Sequence, residues 1–228
     1  MLDARRKETI GMGDFAKFYE QGDIWMHPIS LCSVIAFSIA IERIYALFFR
    51  YNINANHFMA QVQKLILSNN IDRAIKLCNA APHAALTRVV KAGLTRANKN
   101  EEEIANAVEE ATLEVLPELN KRTSALPNVA NLATLLGLLG TIVGLIQAFT
   151  AVAAAPPDMK SQMLTQALAV GLNTTAFGLM VAIPTLAVYI FLNSTTKKIT
   201  DEIDRYSVKL QNLLVARGRG AVPAPEQA

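Results

Sequence analysis

Six uncharged polar side chains, Thr134, Thr141, Gln147, Asn173, Thr174 and Thr175, lie within two stretches, Val129 to Ala155 and Met163 to Leu192, that hold no charged residue. Hydroxyl and amide groups both donate and accept, so several of them turned to one space could hydrate an ion or hydrogen-bond another chain's side chain. None of the six titrates in a useful range, and neither stretch contains Asp, Glu, His, Lys or Arg. A proton relay here needs an acidic group from a partner; conduction by this chain alone needs a continuous water path. The other reading of a threonine in an apolar helix is local, with its hydroxyl bonded to a carbonyl one turn earlier.

Small residues accompany these groups. Gly137, Gly140 and Gly144 recur in the first stretch beside Ala133, Thr141 and Ala148, and Gly171, Gly178 and Ala182 repeat the pattern in the second. Such side chains let helix backbones approach closely where lipid gives little drive for association. Pro184 should bend the second stretch or rearrange its hydrogen bonds locally.

The elements that must carry these residues follow from length. Each stretch exceeds the roughly 20 residues needed to cross a bilayer as a helix. The connector, Pro156 to Gln162, is too short for a domain and too polar for lipid. Residues 129–155 and 163–192 therefore read as an antiparallel transmembrane hairpin joined by an extracytoplasmic loop, 156–162. A third crossing is expected over 24–49. Its cleanest part, Pro28 to Ile41, is short enough for a buried soluble helix, but Trp25 and Tyr45 sit as interface anchors and Arg43 and Arg50 mark one end. Glu42 and Arg43 are adjacent and do not face one another on a helix; either they form the cytoplasmic boundary, or Glu42 turns inward and pairs with a basic group.

Composition fits this division. Apolar residues make up 52%, and the formal charge of +3 comes from 22 basic and 19 acidic residues without a long Lys/Arg block, which gives nucleic-acid binding little support. Cys32 and Cys78 are too far apart in sequence for a metal-binding pair or a disulfide framework, and read as small buried hydrophobes. His27, His57 and His83 share no ligand spacing, so neither a metal nor another cofactor is expected. No acid, nucleophile and base recur as a set, which argues against an enzyme. The opening residues, Met1 to Glu8, are basic but lack a following signal core, so an uncleaved chain is expected; residues 1–23 would end in a short interfacial amphipathic helix bearing Phe15, Phe18 and Tyr19.

Residues 50–128 form the main polar section. Phe58, Val62, Leu65 and Ile66, then Leu86, Val89, Val90 and Leu94, repeat at helical spacing, predicting small packed helices. A longer helix should begin at Asn100, with Glu103 at capping-box spacing and Glu101, Glu102 and Glu103 at the favourable end of its dipole. Ile104, Val108, Ala111 and Val115 give it one apolar side; Pro117 should bend or interrupt it, and Pro127 should separate it from the next apolar run. A last amphipathic helix is expected over 193–217 through Ile199, Ile203, Tyr206, Leu210 and Leu213, followed by a disordered tail, 218–228. Arg43, Arg50, Lys121, Arg122, Lys197, Lys198, Arg205 and Lys209 place the polar section and carboxyl terminus in the cytoplasm and the amino terminus outside it.

The run from Leu135 through Gly140, Thr141 and Gly144, the run from Leu172 through Thr175, Gly178 and Pro184, and Glu42-Arg43 together resemble the MotA/TolQ/ExbB family of membrane motor and energy-transducing proteins. The resemblance implies an all-α, three-crossing subunit of the bacterial inner membrane, assembled as a ring of five around the membrane helices of two smaller single-span ExbD/TolR-like partners. A partner aspartate would handle the proton, with ring threonines matching Thr141 and Thr175 near it, and Thr134 and Thr174 as further members of the pathway. A TonB-like or other envelope-spanning protein is a further implied partner. Many transport-energising members carry a glutamate shortly before the third-helix threonine; Val170 stands there in this chain. The short polar section favours the TolQ/ExbB-like branch or a gliding-motility motor over flagellar stators. Two functions remain at this point: a proton-driven motor subunit, and a non-conducting scaffold that assembles envelope or receptor proteins.

Overall fold

The structure is a computed structural model that describes residues 19, 24–51 and 53–219. The expected interfacial helix and the terminal tail lie outside these residues, apart from Tyr19, Ile24, Gly218 and Arg219. The described residues are helical and contain no strand: α1 (Met26–Tyr45), a π-helical turn (Ala46–Tyr51), α2 (Ala55–Leu67), α3 (Ile71–Ala80), α4 (Ala85–Thr95), α5 (Glu101–Asn120), α6 (Ala125–Ala154) and α7 (Lys160–Gly218). Three helical stretches, 26–67, 101–154 and 160–218, are long and apolar enough to cross a membrane. The described residues divide into two compact units, those up to Ala40 with 125–189, and those from Ile41 to Ser124 with 190–219.

The first unit contains most of α1, all of α6 and the first half of α7. Met26, Ile29 and Cys32 of α1, Ala133 of α6 and Phe177 of α7 form its buried core, with Tyr19, Val129, Leu136 and Val181 packed against it. Outside this core the surface is greasy: Leu31, Val34 and Phe37 on α1, Leu135, Ile142 and Ile146 on α6, and Leu172 and Ile183 on α7 are exposed. A soluble monomer does not carry apolar surface on this scale; lipid or further copies must cover it.

The second unit follows aqueous rules. Leu86, Val89, Val90 and Leu94 of α4 and Ile104, Val108, Val115 and Leu119 of α5 are buried, as their spacing predicts, and so are Ile199, Ile203, Tyr206, Leu210 and Leu213 of α7. Gly93 lets three helices meet: a Cβ there would stand 2.8 Å from Val108 Cγ2 and 2.9 Å from Leu210 Cδ2. Local signals set the helix ends. Asn100 Oδ1 accepts from the Glu103 amide at 2.9 Å. α2 closes through Asn69 in the left-handed region, φ 58°, with the Asn69 and Asn70 amides donating to Ile66 O (3.0 Å) and Leu65 O (2.9 Å), which satisfies two end carbonyls.

Two helix ends differ from the sequence expectation. Pro117 does not interrupt α5, because Pro117 and Leu113 lie on its open side, where water can satisfy the Leu113 carbonyl that the missing amide leaves. The break falls instead at 121–124, where Arg122 takes φ 61°, and Pro127 sits within the first turn of α6, where a proline is tolerated. The expected helix over 193–217 is no separate element: Pro184 is accommodated within α7, and from Thr185 to Arg217 no glycine or proline stops it.

Candidate functional site

The site is built on the seam between α6 and α7. As contact positions climb α6 from Ala133 to Gly144, they descend α7 from Gly178 to Gly171, so the two helices run antiparallel. A Cβ on Gly178 would stand 2.7 Å from the Ala133 carbonyl oxygen, and one on Gly137 would be 3.2 Å from both Thr174 O and Thr175 Cα. At Gly140 it would lie 2.5 Å from Thr174 Cγ2 and 3.2 Å from Trp25 Cβ; at Gly171, 3.3 Å from Thr141 Cα. Backbone is the obstacle at Gly178, Gly137 and Gly171, so these glycines are the condition for the close approach. Gly144 is the loosest, with its nearest neighbour at 3.8 Å.

That approach brings the two central hydroxyls together. Thr141 Oγ1 and Thr175 Oγ1 are hydrogen-bonded to each other. Thr141 Oγ1 is also placed to donate to Gly171 O (2.9 Å) and, more weakly, to Gly137 O (3.3 Å), and Thr175 Oγ1 to Gly137 O (3.0 Å). Two hydroxyl protons thus face more acceptors than they can serve at once. Either hydroxyl can leave its carbonyl and donate to an incoming carboxylate, or stay in place and accept from the protonated acid. Both residues are half-buried, leaving an open side for a further chain. The pair adds no charge, so it can serve both protonation states of a carboxyl group without competing for its proton.

The other two threonines behave differently. Thr174 is 1% exposed, donates to Val170 O at 3.0 Å, and fills the hollow left by Gly140. Its side chain is thus buried within its own chain, packed against α6. Thr134 is half-buried and donates back to Ala130 O at 3.1 Å, the local bond of a helical threonine. Val170 is half-buried and brings no acid to the seam.

Glu42 and Arg43 belong to the second unit. Glu42 pairs with Arg122, and both side chains stay about half exposed, so Glu42 does not turn inward. Arg43 is 3% exposed and donates from Nη1 to the Glu118 carbonyl at 3.4 Å, while its Nε has no partner. Arg122 was legible only as positive charge near a membrane end; nothing local announces a partner 80 residues away. Trp25, expected as an interface anchor, also packs on Gly140. Among the described residues no group of three or more His, Cys, Asp or Glu could hold a metal ion.

Comparison with known proteins converges on one family. The family model for the MotA/TolQ/ExbB proton channel family matches residues 81–205. The putative biopolymer transport protein ExbB-like 3 of Synechocystis sp. is 30% identical over 166 residues, covering 72% of this chain and 78% of that protein. ExbB-like 1 of the same organism is 29% identical over 171 residues, covering 74% and 66% respectively. The biopolymer transport protein exbB1 of Vibrio cholerae is 39% identical over a shorter 70-residue stretch, 31% of each chain. With more than half of its length matched by the family model and its three apolar helices in place, the chain is a multi-pass inner-membrane protein and not an enzyme, and it belongs to the MotA/TolQ/ExbB proton channel family.

Proposed function

We propose that this chain is the ring-forming subunit of a complex driven by the proton motive force, and that its α6–α7 seams surround the membrane helices of a smaller partner. Membership of the family supplies the general role in energising membrane processes. The observation that carries the finer reading is the half-buried Thr141–Thr175 hydroxyl pair set between two charge-free stretches, 129–155 and 163–192. A carboxylate from an ExbD/TolR-like single-span partner would dock there, be neutralised by protonation, and be released as the proton leaves. Each elementary charge moved across the membrane field is worth about 2.3 kcal/mol per 100 mV, enough to drive small rotations of one chain set against the other.

Five copies around two partner helices, with a periplasmic amino terminus and a cytoplasmic carboxyl terminus, complete this reading. The exposed apolar faces of α6 and α7 supply surface for ring contacts, and the basic residues after α1 and beyond Phe191 support the orientation. Work on the cell envelope, whether transport, maintenance or motility, would be set by the partner's external domain, with a TonB-like protein as one recipient.

A second reading is favoured by the same bonds. Both hydroxyls have acceptors within their own chain, as a purely structural pair would, and a non-conducting scaffold for envelope proteins needs no more. Vesicles holding this chain with and without its single-span partner, under a pH gradient and a voltage, separate the two. Partner-dependent proton flux supports the motor; assembly of both chains without flux supports the scaffold.

A further inference from the structure

Beyond the proton pathway, the second unit contains a cleft of about 470 Å³ lined by Tyr45, Phe49, Arg50, Ile53 and the 80–84 connector between α3 and α4. That volume lies within the range of about 300–1,000 Å³ typical of small-ligand sites. Its lining begins with Tyr45, the last residue of α1, at the end where that helix's apolar run stops. Tyr45 and Phe49 stack with ring centres 5.3 Å apart and are both largely exposed, so they form an apolar wall without protein cover. Arg50 lies beside them and has no carboxylate partner among the described residues; its Cζ lies 5.8 Å from the Tyr51 ring centre, an attraction that leaves the cation unneutralised. His83 also lines the cleft, and no acidic side chain does.

We infer that this cleft binds the headgroup of an anionic phospholipid, with the phosphate beside Arg50 and His83 and an acyl chain laid along the Tyr45–Phe49 wall. An apolar wall joined to an unneutralised cation and free of carboxylates matches an amphipathic anion, whereas a zwitterion's quaternary ammonium finds no carboxylate there and is repelled by Arg50. The Arg50 guanidinium provides the discrimination. The site rests on α1 spanning the membrane and is independent of the threonine pathway.

The test uses the full chain purified in detergent and read by native mass spectrometry. It is titrated with phosphatidylglycerol, with phosphatidylcholine of the same acyl chains, and with inorganic phosphate as competitor. Wild type should retain phosphatidylglycerol in preference to phosphatidylcholine, millimolar phosphate should not displace it, and Arg50→Gln should lower its retention about fivefold, the effect of one basic residue at an anionic surface. Phe49→Ala should weaken retention of both lipids. Equal retention of the two lipids, unchanged binding in Arg50→Gln, or displacement by phosphate alone would overturn the assignment. Arg50 is exposed, so its variant should fold. Proton flux, measured separately, reports on the pathway and not on this cleft.

Discussion

The two units of this protein solve the same problem, holding helices together, with opposite materials. In the α6–α7 seam the contacts are glycine against backbone and hydroxyl against carbonyl, while leucine and isoleucine point outward. In the second unit leucine, isoleucine and valine point inward, and charged residues such as Arg88, Glu114 and Glu118 bridge the rim. The difference is that of the solvent. Burying a leucine is favourable against water and nearly neutral against lipid, so membrane helices depend on close approach and polar bonds instead.

The largest expected effect separates the two regimes at one residue type. Leu119 is fully buried in the second unit, and Leu119→Ala should cost about 2–5 kcal/mol, whereas Leu135→Ala on the outward face of α6 should leave the chain's own stability almost unchanged. Thermal unfolding of both variants in the same detergent checks the contrast, and equal losses would break it. Next comes the seam itself. Gly178→Ala drives a Cβ toward a backbone oxygen that cannot step aside and should cost about 1–3 kcal/mol, while Gly144→Ala, with its nearest neighbour at 3.8 Å, should be close to neutral. Steric-trap or detergent unfolding of the pair would sharpen the claim that spacing, rather than glycine content, fixes the seam.

Smaller effects belong to the aqueous unit. Arg88 reaches Glu118 at 2.7 Å and Glu114 at 3.0 Å, but all three side chains are partly exposed, so Arg88→Ala should cost no more than about 1 kcal/mol and the loss should shrink as salt is added. Cys78 tests burial more finely. Its thiol is pushed up to about 11 by burial, so in a Cys32→Ala background it should resist thiol reagents at neutral pH and react only on unfolding. Because the folded value is raised, the stability linked to this group is fully present below the ordinary thiol range and is lost as pH rises from that range toward 11. A denaturant series run across that alkaline window should show the decline, and rapid labelling of the folded chain at neutral pH would contradict the burial.

How much of this was legible depended on the distance over which a signal acts. The Asn100 cap, the apolar faces of α4 and α5, and the buried side of α7 are local patterns, and each is found where its spacing puts it. The break at Arg122 was not legible, because a left-handed arginine has no composition signal, and Pro117 offered a stronger signal at a place where the helix is not interrupted. Thr174 and Thr175 are neighbours in sequence, yet one turns into the Gly140 hollow and the other meets Thr141. Adjacent helical residues face about 100° apart, and only the packing of a second helix decides which is buried. The Glu42–Arg122 pair likewise needed the fold to bring together residues far apart in the chain.

The central claim is that the Thr141–Thr175 pair serves a partner's carboxyl group rather than the seam alone. Valine keeps threonine's shape and removes its hydroxyl, so the decisive measurement is partner-dependent proton flux in vesicles holding wild type, Thr141→Val or Thr175→Val, with equal assembly of both chains verified in each. The account predicts that assembly persists and flux falls at least tenfold, the fall that about 1.4 kcal/mol of lost stabilisation along the path produces. Flux at the wild-type level in both variants would contradict it.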